Sequence, residues 1–221
     1  SGYNSYFGRN LDLEYLYDEE VTIVPRNFLL KFKKEEALKN HYAIIGMSTI
    51  IDNYPLFYDA TNEHGLSMAG LNFVGNAVYQ DAKSGKINIP QYAFISWLLS
   101  QCGCLEEAKN MLKGANLTGE TFKNLPQAQL HWIIADKTGA VTVESTKECL
   151  FVYDNPVGVL TNNPAFPEQL FQLNNYLNKN KLNRNQQQFD GLLSFSYNLG
   201  AYILSTDTDF KDLFLATGNT E

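Results

Sequence analysis

At 221 residues the chain is long enough for a sizeable domain with its own core, and a net charge of −7 excludes the basic surplus that grips nucleic acid or an anionic membrane. Apolar residues at 44% suit a globular protein, and no apolar run is long enough to span a bilayer. The three cysteines, Cys102, Cys104 and Cys149, form no even disulfide framework. The Cys-Gly-Cys run is too tight for a zinc knuckle and has no second pair to match it, so a reduced, cytoplasmic setting is expected. The opening SGYNSYFGRN has no basic region followed by an apolar one, so no signal peptide is expected, although the sequence does not start with Met.

In chain order, residues 3–30 read as strands, with residues 19–24 ending in β-branched side chains and stopped by Pro25. Residues 31–40 are charged and read as an exposed loop. Residues 42–51 are a second apolar strand, Asn53-Tyr54-Pro55 a turn, and residues 57–60 a further short strand. Asn62-Glu63-His64-Gly65 has the chemistry of a tight hairpin turn, which makes His64 a turn residue rather than a catalyst. Residues 66–73 follow as a strand.

Ile89-Pro90-Gln91 opens a helix whose apolar face includes Tyr92, Ile95, Trp97, Leu98 and Leu99. The Cys-Gly-Cys run breaks it, and residues 105–112 form a second helix. Residues 125–129 read as a loop. Residues 130–135 and 140–145 are strands joined by the turn Asp136-Lys137-Thr138-Gly139, and residues 149–153 and 157–160 are further strands. Residues 174–188, rich in Asn, Gln and Lys, read as a solvated loop. Strands, two helices, then strands is an α+β order rather than a repeating βα one. With no repeat and no interdomain linker, residues 1–221 are expected to be one partial domain.

The charged stretch near the start organises the chain. In YFGRNLDLE, residues 6–14, Arg9 precedes Asp12 by three residues among aromatic and aliphatic neighbours. Opposite charges this close on a strand entering a core call for partners, because an unpaired buried charge is costly. Three later blocks join it: AGLNF at residues 69–73, LHWIIAD at 130–136 and VGVLTNNPAF at 157–166. Together with VTIVPRNF at residues 21–28, these five blocks, in their order along the chain, resemble the choloylglycine hydrolases, the family of bile salt hydrolases and penicillin V acylases. The resemblance runs from about Tyr3 to about Tyr176.

The resemblance implies the αββα four-layer sandwich of the N-terminal nucleophile hydrolases, incomplete here on the C-terminal side. It implies a linear amide hydrolase whose nucleophile is a cysteine at the mature N-terminus, with that residue's own α-amine as base. Arg9 matches the arginine beside that cysteine, where a fixed positive charge favours the thiolate. Asp12 matches the aspartate that orients the terminal amine. Asn72 and Asn162 match the two asparagines near the tetrahedral intermediate, Asn72 contributing to the oxyanion hole, since a side-chain amide donates without titrating. Asn163 fits less well because Pro164 follows it in a turn. Leu11, Ile51 and Phe57 are apolar positions that could line a sterol pocket or belong to the core.

The family reading implies a conjugated bile salt as the amide substrate, no cofactor and no metal, a cytoplasmic setting in a gut bacterium, and a homo-oligomer when complete. The alternatives are a penicillin V acylase, and a non-catalytic remnant that binds a sterol. Penicillin V acylases often carry tyrosine at the position of Asn72, which favours bile salts.

Two departures stand out. None of residues 1–8 is cysteine, and Ser1 is at the wrong spacing to replace one, since it aligns with the turn after the nucleophile strand. None of the three cysteines carries a free α-amine. Towards the other end, Tyr197-Asn198-Leu199-Gly200 matches the family's glycine-rich loop only faintly. Thr208-Asp209-Phe210 stands where the family has Ser-Arg-Phe. The chain therefore reads as a truncated or degraded member, with a frame change near Asp190 as one route and little or no turnover expected of this segment alone. Missing strands would leave exposed apolar sheet surface.

Overall fold

The computed structural model describes residues 5–11, 17–33 and 35–179, with side chains described as far as residue 175. Among the described residues nine strands and three helices follow one another: β1 (Glu19–Val24), β2 (Ile44–Ile51), β3 (Tyr54–Asn62), β4 (Ser67–Asn72), β5 (Ile87–Pro90), a 3-10 turn (Gln91–Ala93), α1 (Phe94–Leu99), α2 (Leu105–Leu112), β6 (Ala115–Thr118), β7 (Leu130–Asp136), β8 (Gly139–Ser145), β9 (Leu150–Asp154) and α3 (Phe166–Lys179).

Seven strands form one antiparallel sheet in the order β1-β2-β3-β4-β7-β8-β9. Strands β5 and β6 pair in parallel at its side, joined through α1 and α2, as a parallel pair requires a crossover. Helix α1 packs on β3 and β4, and α2 on β7 and β8. The core lies between the sheet and these helices, where Trp132, Phe94, Met68, Ile134, Leu98 and Leu99 are fully buried. The Phe94 and Trp132 rings meet edge to face, 5.0 Å between centroids.

Cross-strand partners share a face of a sheet. The register therefore puts Val21, Met47, Asp59, Ala69, Ile133, Thr142 and Tyr153 in one row across all seven strands, on the face away from α1 and α2. Among the described residues no second sheet covers that face, and Val21 and Ile23 are 66% and 67% exposed there. Only a smaller apolar cluster, Ala69, Leu71, Ile133, Leu160 and Phe166, occupies its centre, with Phe7 against it. No helix of the described residues is long and apolar enough to cross a membrane.

Several local expectations shift. The β2–β3 turn is Asp52-Asn53, both with positive φ, one residue earlier than the proline suggested, and Pro55 is inside β3. Residues 31–40 are irregular but not simply exposed: Leu30 pairs with Leu38 as an isolated bridge, and Leu30 and Phe32 are buried in the core. Ile89 and Pro90 end a strand, and the helix begins after them. Strand β6 was not visible, its four residues being too short to show a period. Residues 157–160 form no strand, and residues 174–179 of the Asn-rich segment belong to helix α3, residues 180–188 lying outside those described. Of residues 3–30, only β1 is strand among those described.

The Asn62–Gly65 hairpin behaves as expected. Gly65 has φ +86°, and buried Asn62 donates from Nδ2 to the Leu99 and Cys102 carbonyls at 2.9 and 2.7 Å. Asn62 thereby ties this turn to the C-terminal end of α1, where carbonyls lack helical partners. His64 packs its ring on Tyr42, which agrees with a turn role.

Candidate active site

The geometry around Arg9 begins with an irregularity in β3. Met47 pairs with Asp59 but Ser48 pairs with Phe57, so Tyr58 is an extra residue, a β-bulge. The bulge turns both Tyr58 and Asp59 towards the open face: the Tyr58 hydroxyl meets Thr49 Oγ1 at 2.9 Å, while Phe57 stays in the core under the helices. Arg9, half-buried in the segment 5–11, crosses to this bulge and donates from Nη1 to the Tyr58 carbonyl at 3.1 Å. Burial pushes the Asp59 carboxyl above the usual carboxylate range, and the Arg9 charge and the Met47 N–H act against that shift.

A cavity of about 490 Å³ opens between residues 6–10, the sheet positions Ala69, Leu71 and Ile133, and the loop residues Gly158, Val159 and Leu160. One wall thus carries a cation and the other is aliphatic, a combination suited to an anionic, largely apolar small molecule. A larger hollow of about 630 Å³ lies around Arg26, Glu63 and His64. Its charges already satisfy one another, since Arg26 clamps both oxygens of Glu63 and holds that carboxyl down to about 2.

Asn72 ends β4 opposite Leu130, exposed, immediately after cavity residue Leu71 and before buried Phe73. Asn162 is exposed in the loop that follows cavity residue Leu160. The turn after β4 and this loop are fastened together by Asn163, which donates to the Val74 carbonyl at 3.2 Å and accepts from Asn76 at 2.9 Å. These bonds give Asn163 a part in holding the two segments together. Asp12 lies outside the described residues.

Of the apolar positions, Leu11 is half-buried beside the Arg9 segment, whereas Ile51 sits at the far end of β2 against Tyr54. Phe57 packs in the helix-covered core, on the opposite side of the sheet from the cavity. The strand's alternation decides this: the bulge follows Phe57 and leaves it facing α1.

Cys102 is fully buried, and burial pushes its thiol up to about 12, the opposite of what a nucleophile needs. Cys104 precedes α2, and Cys149 precedes β9 at a separate hollow lined by lysines. None of the three lines the Arg9 cavity.

Sequence reasoning passed over Asp59, His131 and Glu144. An acid at position 59 and a histidine at 131, each alternating with apolar neighbours in its strand, were the available signals, but alternation alone does not say what a polar side chain meets.

Comparison with known proteins follows this geometry. The profile of the linear amide C–N hydrolases, choloylglycine hydrolase family, matches residues 1–218. A bile salt hydrolase/transferase of Lactiplantibacillus plantarum is 46% identical over 99% of this chain and 68% of its own length. One of Clostridium perfringens is also 46% identical, over 77% of this chain and 53% of its own. The crystal structure of a variant of conjugated bile acid hydrolase from Clostridium perfringens superposes with a TM-score of 0.72 at 44% identity, covering 76% of this chain and 52% of that one. Penicillin V acylase from Agrobacterium tumefaciens, at 22% identity and a TM-score of 0.63 over 82% of this chain and 58% of its own, shares the fold. The chain spans roughly half to two thirds of these relatives, and its α+β fold is that of the N-terminal nucleophile hydrolases. A five-block sequence pattern, an arginine seated on a bulge beside an apolar cavity, and a profile match along nearly the whole chain place this protein in the choloylglycine hydrolase family.

Proposed function

We propose that this chain forms the Arg9-bearing part of a hydrolase that cleaves the amide bond of glycine- or taurine-conjugated bile acids. The observation that carries the reading is the cavity itself, with Arg9 on one wall and Leu71, Ile133 and Leu160 on the other. A conjugated bile salt has an anionic end and a broad apolar body, and each would meet a matching surface. Arg9 would stabilise a cysteine thiolate brought to the cavity, Asp12 would orient its amine, and Asn72 and Asn162 would donate to the tetrahedral oxyanion. Leu11 remains a candidate sterol contact. Residues 1–221 would belong to one domain, in a cytoplasmic homo-oligomer.

The test begins with the encoding DNA. An in-frame Met-Cys upstream and a Ser-Arg-Phe stretch downstream would define a complete chain, to be assayed in parallel on taurine- and glycine-conjugated bile salts and on phenoxymethylpenicillin. Release of taurine or glycine supports the reading. Hydrolysis of the penicillin alone, or of nothing, overturns it.

A further inference from the structure

The least expected polar group in the structure is the buried pair His131–Glu144. Their side chains are 0% and 1% exposed. His131 Nδ1 and Glu144 Oε1 lie within hydrogen-bond distance at 2.9 Å, while His131 Nε2 donates to the Thr161 carbonyl at 2.8 Å. Glu144 Oε1 also accepts the Phe166 N–H at 2.8 Å, the first residue of α3. The Phe73 ring lies flat on the imidazole, 4.3 Å between centroids and 7° between planes. Glu144 Oε2 is buried without a hydrogen-bond partner among the described residues.

Two ionisable side chains are an expensive way to fill a core position, where apolar residues of similar volume would serve stability as well or better. Their partners explain the choice. His131 holds the start of the 161–166 segment and Glu144 holds its end, so Asn162 sits on a loop pinned at both ends by one pair. The residue stacked on the imidazole is the neighbour of Asn72. From α3, Gln169 adds a third tie by donating to the Pro164 carbonyl and accepting the Thr161 N–H.

We propose that His131 and Glu144 are positioning residues, which fix the end of β4 that carries Asn72 and the loop that carries Asn162 in one mutual arrangement and so set the spacing of the two donors at the reacting carbonyl. The proposal rests on the hydrolase reading for its kinetic consequence but not for its structural one. A donor misplaced by about 1 Å can cost about a hundredfold in rate, so a pair that sets spacing acts on turnover more than on substrate binding.

The experiment has two arms. In the full chain, hydrogen–deuterium exchange compares wild type with Glu144→Gln, a near-isosteric change that replaces one carboxyl oxygen by an amide nitrogen. Exchange should rise about tenfold or more within residues 72–78 and 159–166 while β1, β2 and β3 keep wild-type rates. A uniform rise across the sheet, or no rise, overturns the proposal. Should Glu144→Gln not fold, Phe73→Leu removes the stack alone, and faster exchange confined to residues 72–78 is then required; unchanged exchange there overturns the proposal. In the complete hydrolase, Glu144→Gln should lower kcat by about ten- to a hundredfold with KM within about twofold of wild type. Equal losses in KM and kcat overturn the positioning role. A wild type without turnover would refute the hydrolase reading, and the exchange arm then decides the pair by itself.

Discussion

Arg9 donates from Nη1 to the carbonyl of Tyr58 across 3.1 Å, reaching over forty-nine residues of sequence to the one bulged residue of β3. The bulge also brings the Asp59 carboxyl onto the Arg9 side of the sheet, where burial raises its proton affinity and the guanidinium opposes the rise.

Replacing Arg9 with Gln should therefore push the Asp59 carboxyl further up. A carboxyl whose folded value lies above its unfolded one binds more protons in the folded state, so its penalty is present at neutral pH and is relieved as pH falls through the folded value. Arg9→Gln should lose stability at pH 7 by about 1 kcal/mol or less after solvent screening, and less at pH 4. Urea denaturation at the two values checks this; an equal loss at both would remove Asp59 from the account.

Gly46 lies under the same bulge, opposite Ala60. A Cβ at position 46 would collide with the Asp59 carbonyl oxygen and come within 2.6 Å of the Ala60 Cα, both backbone atoms. Gly46→Ala should cost about 1–3 kcal/mol, the usual range for overpacking, seen as a lower urea midpoint with little change in slope.

The thiols should separate into two classes. With its thiol pushed up to about 12, Cys102 has a thiolate fraction on the order of one in ten thousand at pH 8, and it is sealed in the core. Cys104 and Cys149 are only half-buried. Iodoacetamide should alkylate those two in the native protein and reach Cys102 only after denaturant is added; mass spectrometry of the alkylated peptides reads the order directly.

Glu63, which does not line the Arg9 cavity, gives a pH signature of its own. Its hydrogen bonds with Arg26 and the Ala43 N–H hold it at about 2, below the ordinary 4.5. A depressed carboxylate contributes its full stability above the unfolded value and loses it as pH falls through the folded one. Thermal midpoints of wild type and Arg26→Met should differ at pH 6 and converge between pH 4.5 and pH 2. A constant difference across that window would show that Glu63 is not the group responsible.

Much of the fold was legible. β1, β7 and β8 follow from β-branched runs and a four-residue turn, and the broad apolar stripe of residues 92–99 marks the buried helix α1. The misses share a cause. Pro55 signalled a turn, yet the turn fell at Asp52-Asn53, since a tight hairpin needs two positive-φ residues and proline can then begin the next strand. Residues 31–40 looked solvated because their charges outnumber Phe32 and Leu38, although those two side chains settle against the core. Of the candidate site, Arg9 lines the cavity, Asn72 and Asn162 follow the cavity residues Leu71 and Leu160 in the chain without lining it themselves, and Phe57 faces the other side of the sheet.

The sequence by itself determined the family, the α+β order of elements and the charged segment around Arg9, because ordered motifs, apolar periodicity and turn chemistry are local properties of the chain. Only the tertiary structure decided what the polar side chains meet. The one-residue bulge at Tyr58 selects which of Phe57, Tyr58 and Asp59 faces Arg9, and the pairing of β7 with β8 brings His131 to Glu144. Both depend on register between strands distant in sequence, where a slip of one residue exchanges core for cavity.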